Sequence, residues 1–143
     1  MYTYVRSGDR YVISIENHRE IVSALKSFCE EKGIRSGAVS GIGAVNDVTL
    51  RFFNPDTKKY EDRRFKEQME IANLSGNISS LDGKVYLHLH VTLGRSDYSA
   101  LAGHLLSAVL NGAGEFFIDD YRVVTDRRYD PDLGLNCYDF RKQ

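Results

Sequence analysis

"ANLSGNISSLDGKVYLHLHVTLG", residues 72–94, is the stretch that decides how this chain folds. Two runs rich in apolar residues flank Leu-Asp-Gly at 81–83, which is a strong hairpin signal. Along a strand successive side chains alternate faces, so residues 87, 89, 91 and 93 share one face and 86, 88, 90 and 92 the other. The first set reads Leu, Leu, Val, Leu and belongs in a core. The second reads Tyr, His, His, Thr. That polar face either meets solvent or lines a pocket or interface where imidazoles have a task.

Outward from this hairpin the chain is mostly β. "TYVR" and "RYVISI" flank a Ser-Gly-Asp turn and suggest an N-terminal hairpin. "NHREIVSALKSFCEEKG" is the clear helix: Ile21, Val22, Leu25, Phe28 and Cys29 share a face at helical spacing. Asn17 with Glu20 suggests a capping box, and Gly33 the stop. His18, in the first turn, reads as exposed and without a special role. "IRSGAVSGIGAVNDVTLRFFNP" reads as a strand kinked around Gly41 and Gly43, then a second stretch ending at Pro55. It is no dinucleotide fingerprint, because no amphipathic helix follows the glycines.

Residues 60–71 fit helix or exposed strand, and strand is favoured because Tyr60, Phe65 and Met69 make a poor helical stripe. "RSDYSA" is a loop, and residues 103–123 hold one short apolar element and a strand at 115–118. A Pro-Asp-x-Gly turn precedes a last short strand. The expected fold is α+β, a mainly antiparallel β-sheet with one well-defined long helix and short additional elements, over a single domain spanning 1–143. One helix cannot cover both faces of such a sheet, so some apolar strand surface should be covered by self-association.

Composition fits this picture. At 143 residues, 42% hydrophobic and 27% charged, the chain suits one soluble domain with its own core. No apolar run is long enough to span a membrane, and the charged amino terminus is unlike a signal peptide, so a cytoplasmic protein without membrane partners is expected. Cys29 and Cys137 are too few for a disulfide scaffold and read as buried thiols. Nineteen basic and twenty acidic side chains give a net charge of -1. The basic stretches at 58–67 and 126–129 are interleaved with acids and read as solvated charged faces. DNA affinity should therefore be weak, non-specific and steeply salt dependent; a strong sequence preference in a titration at physiological salt would overturn this.

Two histidines at i and i+2 on a strand can face one ion, but catalytic zinc usually takes three protein ligands and water. His104, in "AGHLL", could return beside His88 and His90 on a neighbouring element. Residue types alone leave two readings open: a metal site, or hydrogen-bonded histidines on a half-buried face.

The stretches "SGIGAVNDVTLRFFN", "LSGNISSLDGKVYLHLHVTLG", "AGHLL" and "RRYDPDLGL" together resemble the plant and prokaryote conserved (PPC) domain family, also known as domain of unknown function 296. The resemblance covers almost the whole chain and is to the stand-alone prokaryotic type. It implies an α/β, mainly antiparallel domain that assembles as a homotrimer. It also implies a divalent metal ion on His88 and His90 of "HLHV" and His104 of "GHL", zinc first, with nickel, cobalt or iron as alternatives. Water or a small ligand would complete the shell. The family's "LSGNIS" core falls on Leu74 to Ser79, and Gly41, Gly43, Gly76 and Gly103 are the structural glycines.

Plant members generally lack the paired histidines and carry an AT-hook; this chain has the histidines and no "RGRP". The family's usual double glycine before the third histidine is Ala102-Gly103 here. The leading expectation is a metal-binding homotrimer with a regulatory role, and weak DNA binding only by analogy with the family. The alternatives are a metal-dependent enzyme acting on a small molecule and a sequence-specific DNA-binding protein. For catalysis Glu70, Asp82 and Glu115 are candidate acids or bases, or carboxylates backing the ligands, though no motif fixes any of them.

Overall fold

Residues 1–141 are described by a computed structural model. In chain order they form β1 (Tyr2–Ser7), β2 (Arg10–Ile15), α1 (Ile21–Lys32), β3 (Gly37–Asn54), β4 (Lys59–Phe65), β5 (Met69–Leu81), β6 (Lys84–Gly94), β7 (Ala100–Asp120), β8 (Asp126–Asp130) and β9 (Leu135–Tyr138). The fold is α+β, with antiparallel pairing throughout except for β5 against β8.

The hairpin read at 72–94 is β5–β6, with Leu81 opposite Lys84 across the turn. Its faces are as the alternation requires: Leu89, Val91 and Leu93 are buried, while Tyr86, His88 and Thr92 are half-buried and His90 is exposed. β3 is the organising strand. It pairs with β5 over its first half, with β4 over its second, and with β7 along most of its length. Because β6 also pairs with both β5 and β7, the ladder β3–β5–β6–β7 closes on itself. Closure removes free edges from the centre of the sheet.

Two boundaries differ from the sequence reading. The kink at the "SGIG" glycines does not end the strand. β3 runs on through a register shift between Gly41 and Gly43 that leaves Ile42 unpaired with β5 and 52% exposed. This is a β-bulge, which bends a strand without breaking it. Gly41 is needed there because a Cβ would stand 2.3 Å from the Phe116 ring. Likewise, the short apolar element and the strand at 115–118 are one 21-residue strand, β7. The ladder to β3 shifts register between Leu110 and Gly114 and continues.

The helix starts later than its expected cap. Glu20, not Asn17, is the N-cap: its carboxylate accepts from Val22 N at 2.9 Å and Ser23 N at 2.7 Å. Between them His18 takes a left-handed φ of 63°, which no helix can include. Asn17 Oδ1 accepts instead from Gly112 N at 2.9 Å, tying the helix entry to β7. Gly33 closes the helix at φ 69°. Ile21, Ala24, Leu25, Phe28 and Cys29 are fully buried. Each large side chain contributes about 1.5–3 kcal/mol by leaving water. Tyr2, Tyr4 and Tyr11 meet the Phe28 ring edge-on at 5.4, 5.3 and 5.1 Å, so the N-terminal hairpin packs against α1. Burial pushes the Cys29 thiol up to about 12 and keeps it protonated.

Candidate metal centre

β6 supplies His88 and His90, and β7 delivers His104 directly opposite His90 in the ladder. Directly opposed residues share a face, as do residues i and i+2. Three imidazoles thus converge because of register alone, and each has a ring nitrogen within 4.8 Å of the others'. The His88 and His90 Nε2 atoms are 3.2 Å apart. Ring centroids lie 5.1 Å (88–90), 5.1 Å (88–104) and 5.4 Å (90–104) apart.

The same rule extends the site outward. Arg51 of β3 lies opposite His104, and Asp62 of β4 opposite Arg51. Arg51 donates to both Asp62 oxygens, at 2.8 and 2.9 Å, and lies over the Tyr60 ring at 4.8 Å. Tyr60 in turn packs on His104 at 5.6 Å. On the other side Asn77 lies opposite His88 and Ser79 opposite Tyr86, all on the histidine face of the β5–β6 hairpin. Arg127 of β8 reaches across to donate to Asn77 Oδ1 and Ser79 Oγ, each at 2.8 Å. These groups, with Phe52, Phe53 and residues 135–138, line an open pocket of about 880 Å³.

Burial is the first cause that lowers His104, to about 4 from an ordinary 6.5. Repulsion from His88, His90 and Arg51 adds to it, and Asp62 opposes. His88 is lowered too, first by burial, then by Arg127 and His90. Both rings are therefore neutral at neutral pH, with a lone pair each to offer. The stability consequence has a definite sign. Between about 6.5 and about 4 the unfolded chain takes up a proton at position 104 that the folded metal-free chain refuses. Stability from this group is complete above that window and lost as pH falls through it. The melting midpoint of metal-free protein should drop between pH 7.5 and pH 5, and His104→Gln should flatten the drop. An unchanged slope in that variant would refute the assignment.

The three carboxylates singled out in the sequence are elsewhere. Glu70 and Glu115 border a separate groove with Ile42, Gly43 and Ala44. Asp82 occupies the β5–β6 turn at a φ of 50°. None of them lines the histidine pocket. Asp62 is the carboxylate that bears on His104, and only strand pairing reveals it. Arg127 is a second correction. The "DRRY" run reads as a solvated face, yet Arg127 is 9% exposed, because β8 turns that side chain inward over the hairpin.

Among the glycines, a Cβ on Gly76 would meet His88 O at 2.0 Å and one on Gly43 would meet Ala113 O at 2.5 Å. At Gly103 the nearest atom is an ordinary 3.5 Å away.

Residues 2–121 match the Plants and Prokaryotes Conserved (PCC) domain. The chain belongs to this family. Solved structures agree with it. A protein of Bacteroides thetaiotaomicron, named as a candidate DNA-binding protein, is 65% identical over 98% of both chains with a TM-score of 0.96. A metal-containing protein of Archaeoglobus fulgidus is 29% identical, over 96% of this chain and 97% of its own, at a TM-score of 0.85. A plant- and prokaryote-conserved protein of Pyrococcus horikoshii is 26% identical, over 97% and 94%, at 0.84. No curated protein matches the chain. No helix among the described residues is long and apolar enough to cross a membrane.

Proposed function

We propose that this PCC-domain protein binds one divalent metal ion through His88, His90 and His104, as a homotrimer with a regulatory rather than catalytic role. The observation that carries the reading is the convergence of three ring nitrogens within 4.8 Å. Tetrahedral zinc with Zn–N bonds of about 2.0–2.1 Å needs its ligand nitrogens about 3.3 Å apart. The His88 and His90 Nε2 atoms stand at 3.2 Å already. Neutral imidazoles suit zinc, nickel, cobalt and ferrous iron, with zinc the first choice for a thiolate-free nitrogen set. The metal-containing Archaeoglobus relative supports the same reading.

A bound ion would supply Lewis acidity at its open position. The chain's own residues favour ligand sensing over turnover. Among the described residues no aspartate or glutamate lines the pocket, so none of them stands ready there as general acid or base. DNA enters through the candidate DNA-binding name of the Bacteroides relative, and a net charge of -1 gives it little electrostatic support.

Elemental analysis of protein purified without added metal tests the reading. About one ion per chain is expected, and His90→Ala should lower affinity by about 100-fold or more. His18→Ala, remote from the cluster, should change nothing. Equal and negligible metal in wild type and His90→Ala would sink the proposal.

A further inference from the structure

The pocket holds a charge that no carboxylate of the described residues answers. Arg127 is 9% exposed, and its described hydrogen-bond partners are Ser79 Oγ, Asn77 Oδ1 and the Asn136 carbonyl, each at 2.8 Å. All three are neutral. The guanidinium also stacks between Tyr86, at 5.2 Å, and Tyr138, at 4.1 Å. No carboxylate forms an ion pair with it among the described residues. The other guanidinium in the pocket, Arg51, differs: Asp62 holds it with two hydrogen bonds.

Removing an ion from water costs several kcal/mol, and neutral dipoles offset this only partly. A divalent ion on three neutral imidazoles would add positive charge to the same cavity. Among the described residues no aspartate or glutamate lines that cavity, and Asp62, the carboxylate that bears on His104, is already engaged by Arg51. A negatively charged ligand would supply what the described wall lacks.

The walls say what else the ligand must be. Phe53, Tyr60, Tyr86 and Tyr138 present ring surface around about 880 Å³, room for a small molecule with a flat apolar body. A guanidinium has more N–H donors than the three partners of Arg127 use, and its planar fork matches a carboxylate. A carboxylate conjugated to a flat apolar body would present two oxygens to that fork and its body to the ring surfaces of the walls. Inorganic phosphate would answer the fork but leave those ring surfaces without a partner.

We propose, resting on the metal reading above, that this pocket binds a small organic carboxylate with a flat apolar body, its anionic group set against Arg127 beside the histidines. The element that selects the ligand is then the β8–β9 hairpin, which contributes Arg127, Leu135, Asn136, Cys137 and Tyr138. That hairpin lies beyond residues 2–121, where the family match ends. The histidines, Phe53, Tyr60 and Tyr86 lie within the matched part, and Arg127 and Tyr138 outside it. Family members could thus hold the same ion and answer to different acids.

The test is calorimetric titration of the zinc-loaded full chain at pH 7.5, with zinc content measured on the same samples. The probes are 2-naphthoate, acetate, inorganic phosphate and the cation 2-naphthylmethylamine. Naphthoate should bind about tenfold or more tighter than acetate, which lacks the body, and than the amine, which has the body but the wrong charge. Arg127→Gln should weaken naphthoate by about tenfold with zinc content unchanged, and Arg127→Lys, which keeps the charge but not the planar fork, should restore only a small part of the loss. Since Arg127 also pins β8 to β5, the wild-type probe series stands by itself if Arg127→Gln fails to fold. Equal binding of naphthoate and the amine, tighter binding of phosphate, or a folded Arg127→Gln with unchanged naphthoate affinity would each overturn the carboxylate proposal while zinc remains at one per chain. Absence of zinc would overturn the metal reading and this proposal together.

Discussion

Gly76→Ala should lower the stability of the domain by about 3 kcal/mol or more, a large value for the addition of one methyl group. The added carbon would stand 2.0 Å from His88 O and 2.8 Å from a Leu89 methyl. The first neighbour is backbone of β6, held by its ladder to β5, so it cannot swing away as a side-chain tip could. β5 and β6 would have to separate where Gly76 opposes Leu89, breaking the ladder that closes the sheet. The strain also falls on His88, so metal affinity should drop together with stability. Gly103→Ala is the control. Its nearest atom is 3.5 Å away, and β-strand backbone there gains from the loss of glycine's freedom, so stability should stay within about 1 kcal/mol of wild type. Urea denaturation of both variants decides it. A Gly76→Ala midpoint close to wild type would show that the β5–β6 ladder can widen at little cost.

The contrast between these glycines shows what could be read from the chain alone. Alternation in "YLHLHVTLG" assigned every residue of β6 to its face, because a two-residue period is visible in one strand. Placing His104 beside His90 needed the register between β6 and β7, which no local pattern carries; the family resemblance supplied it. Where neither period nor resemblance applied, the reading went astray. Arg127 sits in a run of charged residues and is buried only because β8 joins β5 through two residue pairs across a long sequence gap. Asp62 bears on His104 through Arg51, three strands deep. The extent of β7 was underestimated because its register shifts interrupt the two-residue alternation without ending the strand. Long-range pairing decides all of these.

Replacing Val12 and Phe117 together by aspartate should convert the proposed trimer to single chains. Val5, Val12 and Phe117 are 66%, 45% and 50% exposed and lie directly opposite one another across β1, β2 and β7. Such a row of exposed apolar side chains on a paired sheet calls for a cover. The row does not end there. Phe117 opposes Ser40, Ser40 opposes Ser75, Ser75 opposes His90, and His90 opposes His104. Opposed residues share a face, so the apolar row and the histidines lie on one continuous outer surface that wraps round the closed ladder. Phe117 and His90 are separated on that surface by the two strands β3 and β5. In a closed three-fold ring a substitution is repeated at every interface. Burying an unpaired carboxylate costs several kcal/mol, so the paired change should weaken association by about a thousandfold or more. Light scattering at micromolar concentration should give three times the chain mass for wild type and the single-chain mass for the variant. A trimer that survives both aspartates places its interface elsewhere, and a wild type that is monomeric refutes the assembly.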